Sequence, residues 1–374
     1  MKYISEFRDA ALAQQLAAAI HREARPDREY RFMEFCGGHT HAISRYGIAD
    51  LLPANVRLIH GPGCPVCVLP IGRIDQAIRL VLEHGVTLCT YGDCLRVPAS
   101  GGMSLFKARA MAKRSGGQVR MIYSTTEALA FAQQHPDRQV VFLAIGLETT
   151  TPPTAVAIRQ AAALGLKNFS VLCCHVLTPP AMRAILAQPG MAIDGIIGPA
   201  HVSTIIGSQP YGFCAAEFGK PVVISGFEPL DVMQAVRQLI RQKNNGVAQV
   251  ENEFTRAVTA EGNRKAQALM AEVFALRTNF EWRGLGTLPD SALCLRDAYA
   301  DFDAEKRFAS VYSPIPDHRG CECGAILAGR KAPKECKLFA KACRPDNPLG
   351  ACMVSSEGAC AAEYTYGRLR GAEQ

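Results

Sequence analysis

The 374-residue chain has a single tryptophan, Trp282, aromatic residues amount to 7%, and no basic run is interleaved with aromatics. The stacking platforms of a nucleic-acid surface are therefore missing. No stretch approaches the ~18 uninterrupted apolar residues of a membrane-spanning helix. Glu6 and Asp9 stand where a secretion signal would have its apolar run. Apolar residues make up 48% and charged residues 20%, which excludes both a disordered chain and a collagen-like repeat. These absences predict a soluble cytoplasmic protein that binds neither nucleic acid nor membrane.

Cysteine, by contrast, is abundant, with fifteen residues. At ~100–200 residues per domain the length suggests two or three domains, and such a chain does not need the disulfides that hold small secreted domains together. Clustered thiols in a reducing compartment point instead to metal or redox chemistry. Charge is clustered too. Of the net +7, a surplus of +5 lies between His318 and Arg344, where seven Lys and Arg face only Glu322 and Glu335.

After an amphipathic opening, short β-branched apolar runs alternate with helical patterns of Ala, Leu, Arg and Gln. Strands are predicted at Tyr30–Phe35, Val56–His60, Val86–Thr90, Val119–Tyr123, Val140–Ile145, Phe169–Cys174, Ile193–Ile197 and Pro221–Ser225. Being almost continuously apolar, they read as parallel strands covered on both faces. The expected architecture is α/β: two parallel-sheet, Rossmann-like domains plus a mainly helical, cysteine-rich iron–sulfur domain. The boundaries are drawn at 30–125 for the first α/β domain and 126–243 for the second. Residues 1–29 and 244–374 are assigned to the helical domain.

Function in open α/β sheets gathers at the carboxyl ends of strands. There the sequence places Cys36-Gly37-Gly38-His39-Thr40-His41, then Gly61-Pro62-Gly63-Cys64-Pro65-Val66-Cys67. Cys64 and Cys67 sit between a strand and a helix start, a setting that lowers thiol pKa and suits a dithiol–disulfide pair or a transient metal site. The same spacing is half of a zinc site, but no second pair lies nearby. Cys36 followed by His39 and His41 offers thiolate plus imidazole, a donor set for iron, zinc or copper, with the histidines as orienters or proton handlers. Glu148 and Glu228 are candidates for proton transfer, or simply helix caps. Cys321, Cys323, Cys336, Cys343, Cys352 and Cys360 fall within forty residues. Compact ferredoxin spacing is absent, yet four such thiolates satisfy a [4Fe–4S] cluster, and the surrounding cations would offset its charge.

Three segments, Cys36-Gly37-Gly38-His39-Thr40-His41-Ala42-Ile43, Gly61-Pro62-Gly63-Cys64-Pro65-Val66-Cys67 and Met353-Val354-Ser355-Ser356-Glu357-Gly358-Ala359-Cys360, resemble the HypD family of hydrogenase maturation proteins from end to end. Glu148-Thr149-Thr150, His201-Val202-Ser203 and Gly226-Phe227-Glu228-Pro229 fall in the family's order. The resemblance implies a scaffold for the Fe(CN)2CO part of the [NiFe]-hydrogenase site. Its partners would be the small chaperone HypC and HypE, which delivers cyanide made through HypF. Iron would bridge Cys36 and a HypC thiolate, and Cys64 and Cys67 would be the redox pair. Cys323, Cys336, Cys343 and Cys360 would hold a [4Fe–4S] cluster, and His39, His41, Glu148, His201 and Glu357 join the site through their motifs. Cys321 and Cys352 depart from the pattern as extra thiols that compete for the cluster. Ala200 replaces a glycine before His201, and Leu147 stands where an aromatic is usual. An iron–sulfur thiol–disulfide oxidoreductase working through Cys64 and Cys67 is the competing expectation.

Overall fold

The computed structural model describes residues 5–371. Nine strands build two parallel sheets: β1 (Tyr30–Glu34), β2 (Val56–His60), β3 (Thr87–Thr90), β4 (Gln118–Met121), β5 (Val140–Gly146), β6 (Phe169–His175), β7 (Gly195–Pro199), β8 (Val222–Ser225) and β9 (Val250–Asn252). All eight expected strands are present, within two residues at each end. The first sheet runs β2-β1-β7-β8-β9 and the second β4-β3-β5-β6. Every residue of β5 and β6 is buried, as continuous apolar runs in a doubly covered sheet require. Helices that return the chain to each sheet end in left-handed glycines, among them Gly85 and Gly219, a conformation that costs glycine no Cβ clash.

The division of the chain is not the expected one. The first sheet takes β1 and β2 from one end and β7, β8 and β9 from the other, while the whole second sheet is inserted between them. A cut at 125/126 runs through the second sheet, between β4 and β5. Local sequence shows where strands lie but not which strands pair, because the pairing is decided by long-range packing.

The N-terminal helix Ala10–Glu23 belongs with the first sheet, not with the cysteine-rich module. Asp9 caps it, accepting the Leu12 N–H at 2.8 Å. Its Ile20 packs with Tyr30, Val232 and Val236. Glu23 accepts from Arg237 and Arg241 of helix Pro229–Asn245 at 2.6–2.9 Å, and these partners hold its carboxyl down at about 2.

Beyond β9 the expected run of helices is interrupted by an antiparallel hairpin, β10 (Phe274–Trp282) and β11 (Gly286–Leu295). Its alternation places Phe274, Phe280 and Trp282 inside, and a register shift between Arg277 and Asn279 turns its two ends toward different cores. Phe274 meets one face of the second sheet, while Phe280 and Trp282 join the core shared with the Cys64 loop and the cysteine module. Glu305 ties the hairpin to helix Ile71–His84, accepting from Arg73 at 2.6 Å and from Arg277 at 2.5 Å. Among the described residues no helix is long and apolar enough to cross a membrane.

Candidate thiol and metal centre

In the first sheet the chain leaves β1 toward β2 on one side, while β7, β8 and β9 extend on the other. The crevice at the carboxyl ends of β1 and β7 is thus a topological switch point, where open α/β sheets bind ligands. Cys36 stands there, two residues past β1, at the N-cap of helix Gly37–Arg45. Its amide donates to Glu34 Oε2 at 2.9 Å.

Two neighbouring loops are pressed onto this thiol, and glycines make the approach possible. A Cβ at Gly63 would lie 2.3 Å from the Cys36 nitrogen, and one at Gly37 would lie 2.5 Å from Glu357 Cβ. Gly63 therefore lays the Cys64 loop on Cys36, and Gly37 admits a carboxylate from the C-terminal segment. Burial pushes the Cys36 thiol up, and Glu357 and Glu34 add to the shift, against the amides of Gly38 and His39. The resting group is a neutral thiol, so a soft metal ion arriving at its sulfur displaces a proton.

Glu34 is the residue that sequence reasoning missed. Only 1% exposed, it accepts from the Cys36 amide, the Thr40 hydroxyl and His60 Nδ1, the last at 3.0 Å. The parallel register that sets Glu34 opposite His60 makes this pair. Burial raises its carboxyl and His60 opposes the rise. The available signal was an acid ending an otherwise apolar strand, a polarity the fold accepts only with partners.

His39 is buried, with Nε2 3.0 and 2.9 Å from the carbonyls of Ser225 and Gly226. Carbonyls only accept, so Nε2 carries the hydrogen and Nδ1 keeps its lone pair. Nδ1 has no partner, and burial drives the ring's pKa down to about 4. The Phe227 ring meets those of both His39 and His201 at a tilt, its centroid 4.9 and 4.1 Å from theirs, and burial also lowers His201. His41 points elsewhere: its nitrogens lie 3.4 Å from Ser356 O and from the Tyr366 hydroxyl, linking its helix to the C-terminal one.

Cys64 and Cys67 face each other, the Cys67 amide donating to Cys64 Sγ at 3.3 Å. The expected lowering is not seen at Cys67. Burial and the adjoining Cys64 push its thiol up instead, and the helix that begins there is a single turn. Cys67 Sγ also lies 4.0 Å from the Ala351 carbonyl, beside Cys352.

That contact leads into the cysteine module. Cys321, Cys323, Cys336, Cys343, Cys352 and Cys360 line one cavity, together with apolar side chains and Gly350 only. Cys323 and Cys352 form a disulfide. A sulfur bonded to sulfur offers no thiolate, so in this state Cys323 stands apart from Cys336, Cys343 and Cys360 of the expected set. Cys321 lies in the same nest: burial raises the Cys360 thiol, and Cys343, Cys321 and Cys336 add to the rise. The Leu349 amide aims at Cys343 Sγ from 3.4 Å. Four thiols in an apolar nest with an amide donor match the donor set of a [4Fe–4S] cluster. Among the described residues no group of three or more His, Cys, Asp or Glu is arranged to hold a metal ion.

Glu148 does not join this group. It spans from the end of β5 to helix Thr178–Leu186, accepting from the Thr178 amide at 2.8 Å and meeting its hydroxyl at 2.9 Å. Burial raises it to about 7. A carboxyl with a raised folded pKa loses stability on ionising, so its cost is absent below its ordinary pKa of 4.5 and complete above about 7. Stability should fall by about 3 kcal/mol across this window. Urea unfolding from about pH 5 to 8 should show that slope, and Glu148→Gln, which keeps both hydrogen bonds, should flatten it. An unchanged slope in the variant would assign the pH dependence to other groups.

Fold and site together define a cysteine-rich α/β protein whose switch-point thiol is joined, through a buried thiol pair, to a nest of cysteines. The family model for HypD, described as the Hydrogenase formation hypA family, matches residues 11–367. The chain is 65% identical to the hydrogenase maturation factor HypD of Azotobacter vinelandii over 100% of its length and 98% of the relative. It is 63% identical to that of Cupriavidus necator, over 99% and 98%. Identity to the Escherichia coli HypD is 44%, over 98% of each. The chain belongs to the HypD family and is a hydrogenase maturation factor.

Proposed function

We propose that this protein is the scaffold on which the Fe(CN)2CO unit of a [NiFe] hydrogenase is assembled, held between Cys36 and a thiolate of a HypC-type chaperone. HypE would supply the cyanide, itself charged through HypF. The observation that supports this reading is the contact series Cys36, Cys64 loop, Cys67 and Ala351–Cys352, which joins the switch-point thiol to the buried cysteines.

Iron enters as substrate. Cys36 gives up its proton and supplies a soft, electron-rich anchor at the switch point. The unpartnered Nδ1 of His39 is placed to accept a hydrogen bond or proton from a group bound in the crevice, while Ser225 and Gly226 fix the ring. Packing of Phe227, His39 and the Cys64 loop excludes water from the diatomic ligands. Oxidation of the Cys64 and Cys67 thiols to a disulfide forms one S–S bond and releases two electrons and two protons. A [4Fe–4S] cluster held by Cys321, Cys336, Cys343 and Cys360 would supply electrons singly for restoring that pair. Cys352, bonded to Cys323, directly follows Ala351, whose carbonyl meets Cys67.

A free-standing thiol–disulfide oxidoreductase fits less well. Its attacking sulfur must reach a partner protein, whereas Cys64 and Cys67 are 4% and 0% exposed. Complementation separates the readings. In a host deleted for its own family member, this chain should restore [NiFe]-hydrogenase activity; thiol–disulfide turnover without restored activity would contradict the scaffold.

A further inference from the structure

The cysteine module carries a charge that its own contacts do not absorb. Of its seven cations, Lys331 pairs with Glu322, and Lys334 lies 2.8 Å from Glu363 Oε1. Arg319, Arg330, Lys337, Lys341 and Arg344 are exposed and, among the described residues, make no ion pair. Nearby exposed acids are few: Glu335, whose carboxylate already takes the Ala332 amide, and Asp346. Lys337 and Lys341 lie on the loop that joins Cys336 to Cys343, and Arg344 directly follows it.

The nest beneath this loop has two unlike sides. Cys343, Cys352 and Cys360 are buried, and Cys352 adjoins the Ala351 carbonyl that touches Cys67. Cys321 and Cys336 are only half-buried, so sulfur comes near solvent where the cations stand. A surface holding several uncompensated like charges raises the encounter rate of an oppositely charged partner and orients it on arrival. One-electron chemistry needs both effects, because the donor must bring its own redox group close to the nest.

We propose that this cationic, half-open face docks an acidic one-electron carrier protein, of iron–sulfur or flavin type, which feeds electrons into the module. The proposal rests on the reading that the four thiols hold a cluster. Each encounter oxidises the carrier by one electron and reduces the module by one. Two deliveries, with two protons from water, break a Cys64–Cys67 disulfide and form two S–H groups. The inner side of the nest serves the dithiol and the outer side serves the donor.

The test uses the full-length protein reconstituted anaerobically with iron and sulfide, mixed in stopped flow with reduced, acidic [2Fe–2S] ferredoxin. The triple variant Lys337→Glu/Lys341→Glu/Arg344→Glu should be reduced about tenfold more slowly, or slower still, at low ionic strength. The difference should close at about 0.5 M salt, where screening is nearly complete, an effect that a changed redox potential would not produce. Photoreduced neutral deazaflavin should bleach both proteins equally, which also verifies an intact chromophore. Equal ferredoxin rates in the two proteins would overturn the docking face alone. So would salt-sensitive binding of a single-stranded oligonucleotide that the variant loses while its ferredoxin rate is kept. A chain that takes up no iron–sulfur chromophore would contradict the cluster reading and the docking proposal with it.

Discussion

Replacing Cys36 by alanine is expected to abolish hydrogenase maturation and to remove the iron carried at the switch point, while the absorption of the cysteine module stays intact. The separation follows from geometry. Cys36 sits at the β1–β7 crevice, and its neighbours are engaged: Glu34 with the Cys36 amide, Thr40 and His60, and His39 through Nε2 with two carbonyls. His39 keeps a free Nδ1, but a lone imidazole does not supply the soft, anionic anchor of a thiolate. The cost to folding should stay within about 1 kcal/mol, because a buried cysteine behaves as a small hydrophobe and alanine leaves little space behind. Iron analysis of the variant complexed with its small chaperone checks this, and wild-type iron at that site would remove Cys36 from the role.

Changing Cys64 to serine should be equally severe for maturation and equally mild for the fold. A serine hydroxyl still accepts the Cys67 amide, so the turn survives; what disappears is the S–S bond and its two electrons. Thiol counting under denaturing conditions, before and after reduction, should show a difference of two fewer thiols gained in the variant than in a wild-type protein whose pair is oxidised. Hydrogenase activity in cells should drop to background. Full maturation by Cys64→Ser would leave the pair without a redox role.

Much of this was legible in the chain itself. Continuous apolar runs marked eight of the nine strands of the two sheets, and the glycine-rich loops after β1 and β2 marked the thiols that the fold brings together. What stayed hidden depended on contacts far apart in sequence. Pairing of β1 with β7 creates the switch point, yet no local signal joins residues so distant. Glu34 was concealed by its apolar neighbours, and its role emerges only when the register sets it opposite His60. The hairpin Phe274–Leu295 was masked because its Ala, Leu and Arg suit a helix, while tertiary packing imposed the two-residue alternation. Likewise the bond between Cys323 and Cys352, twenty-nine positions apart, has no local signal in the chain.

Glu148 shows the opposite case, a motif residue whose position suggested chemistry and whose contacts give it a structural task. Its carboxyl is spent on the start of a helix, well served by Thr178.

The scaffold claim is tested most directly by infrared spectroscopy of the anaerobically isolated complex with the small chaperone, formed under maturation-competent conditions. The account predicts cyanide and carbonyl stretching bands that accompany iron bound in addition to the iron of the cysteine module, and their disappearance in Cys36→Ala. A complex that carries the module's iron but no diatomic bands, or one whose bands persist without the Cys36 sulfur, would contradict it.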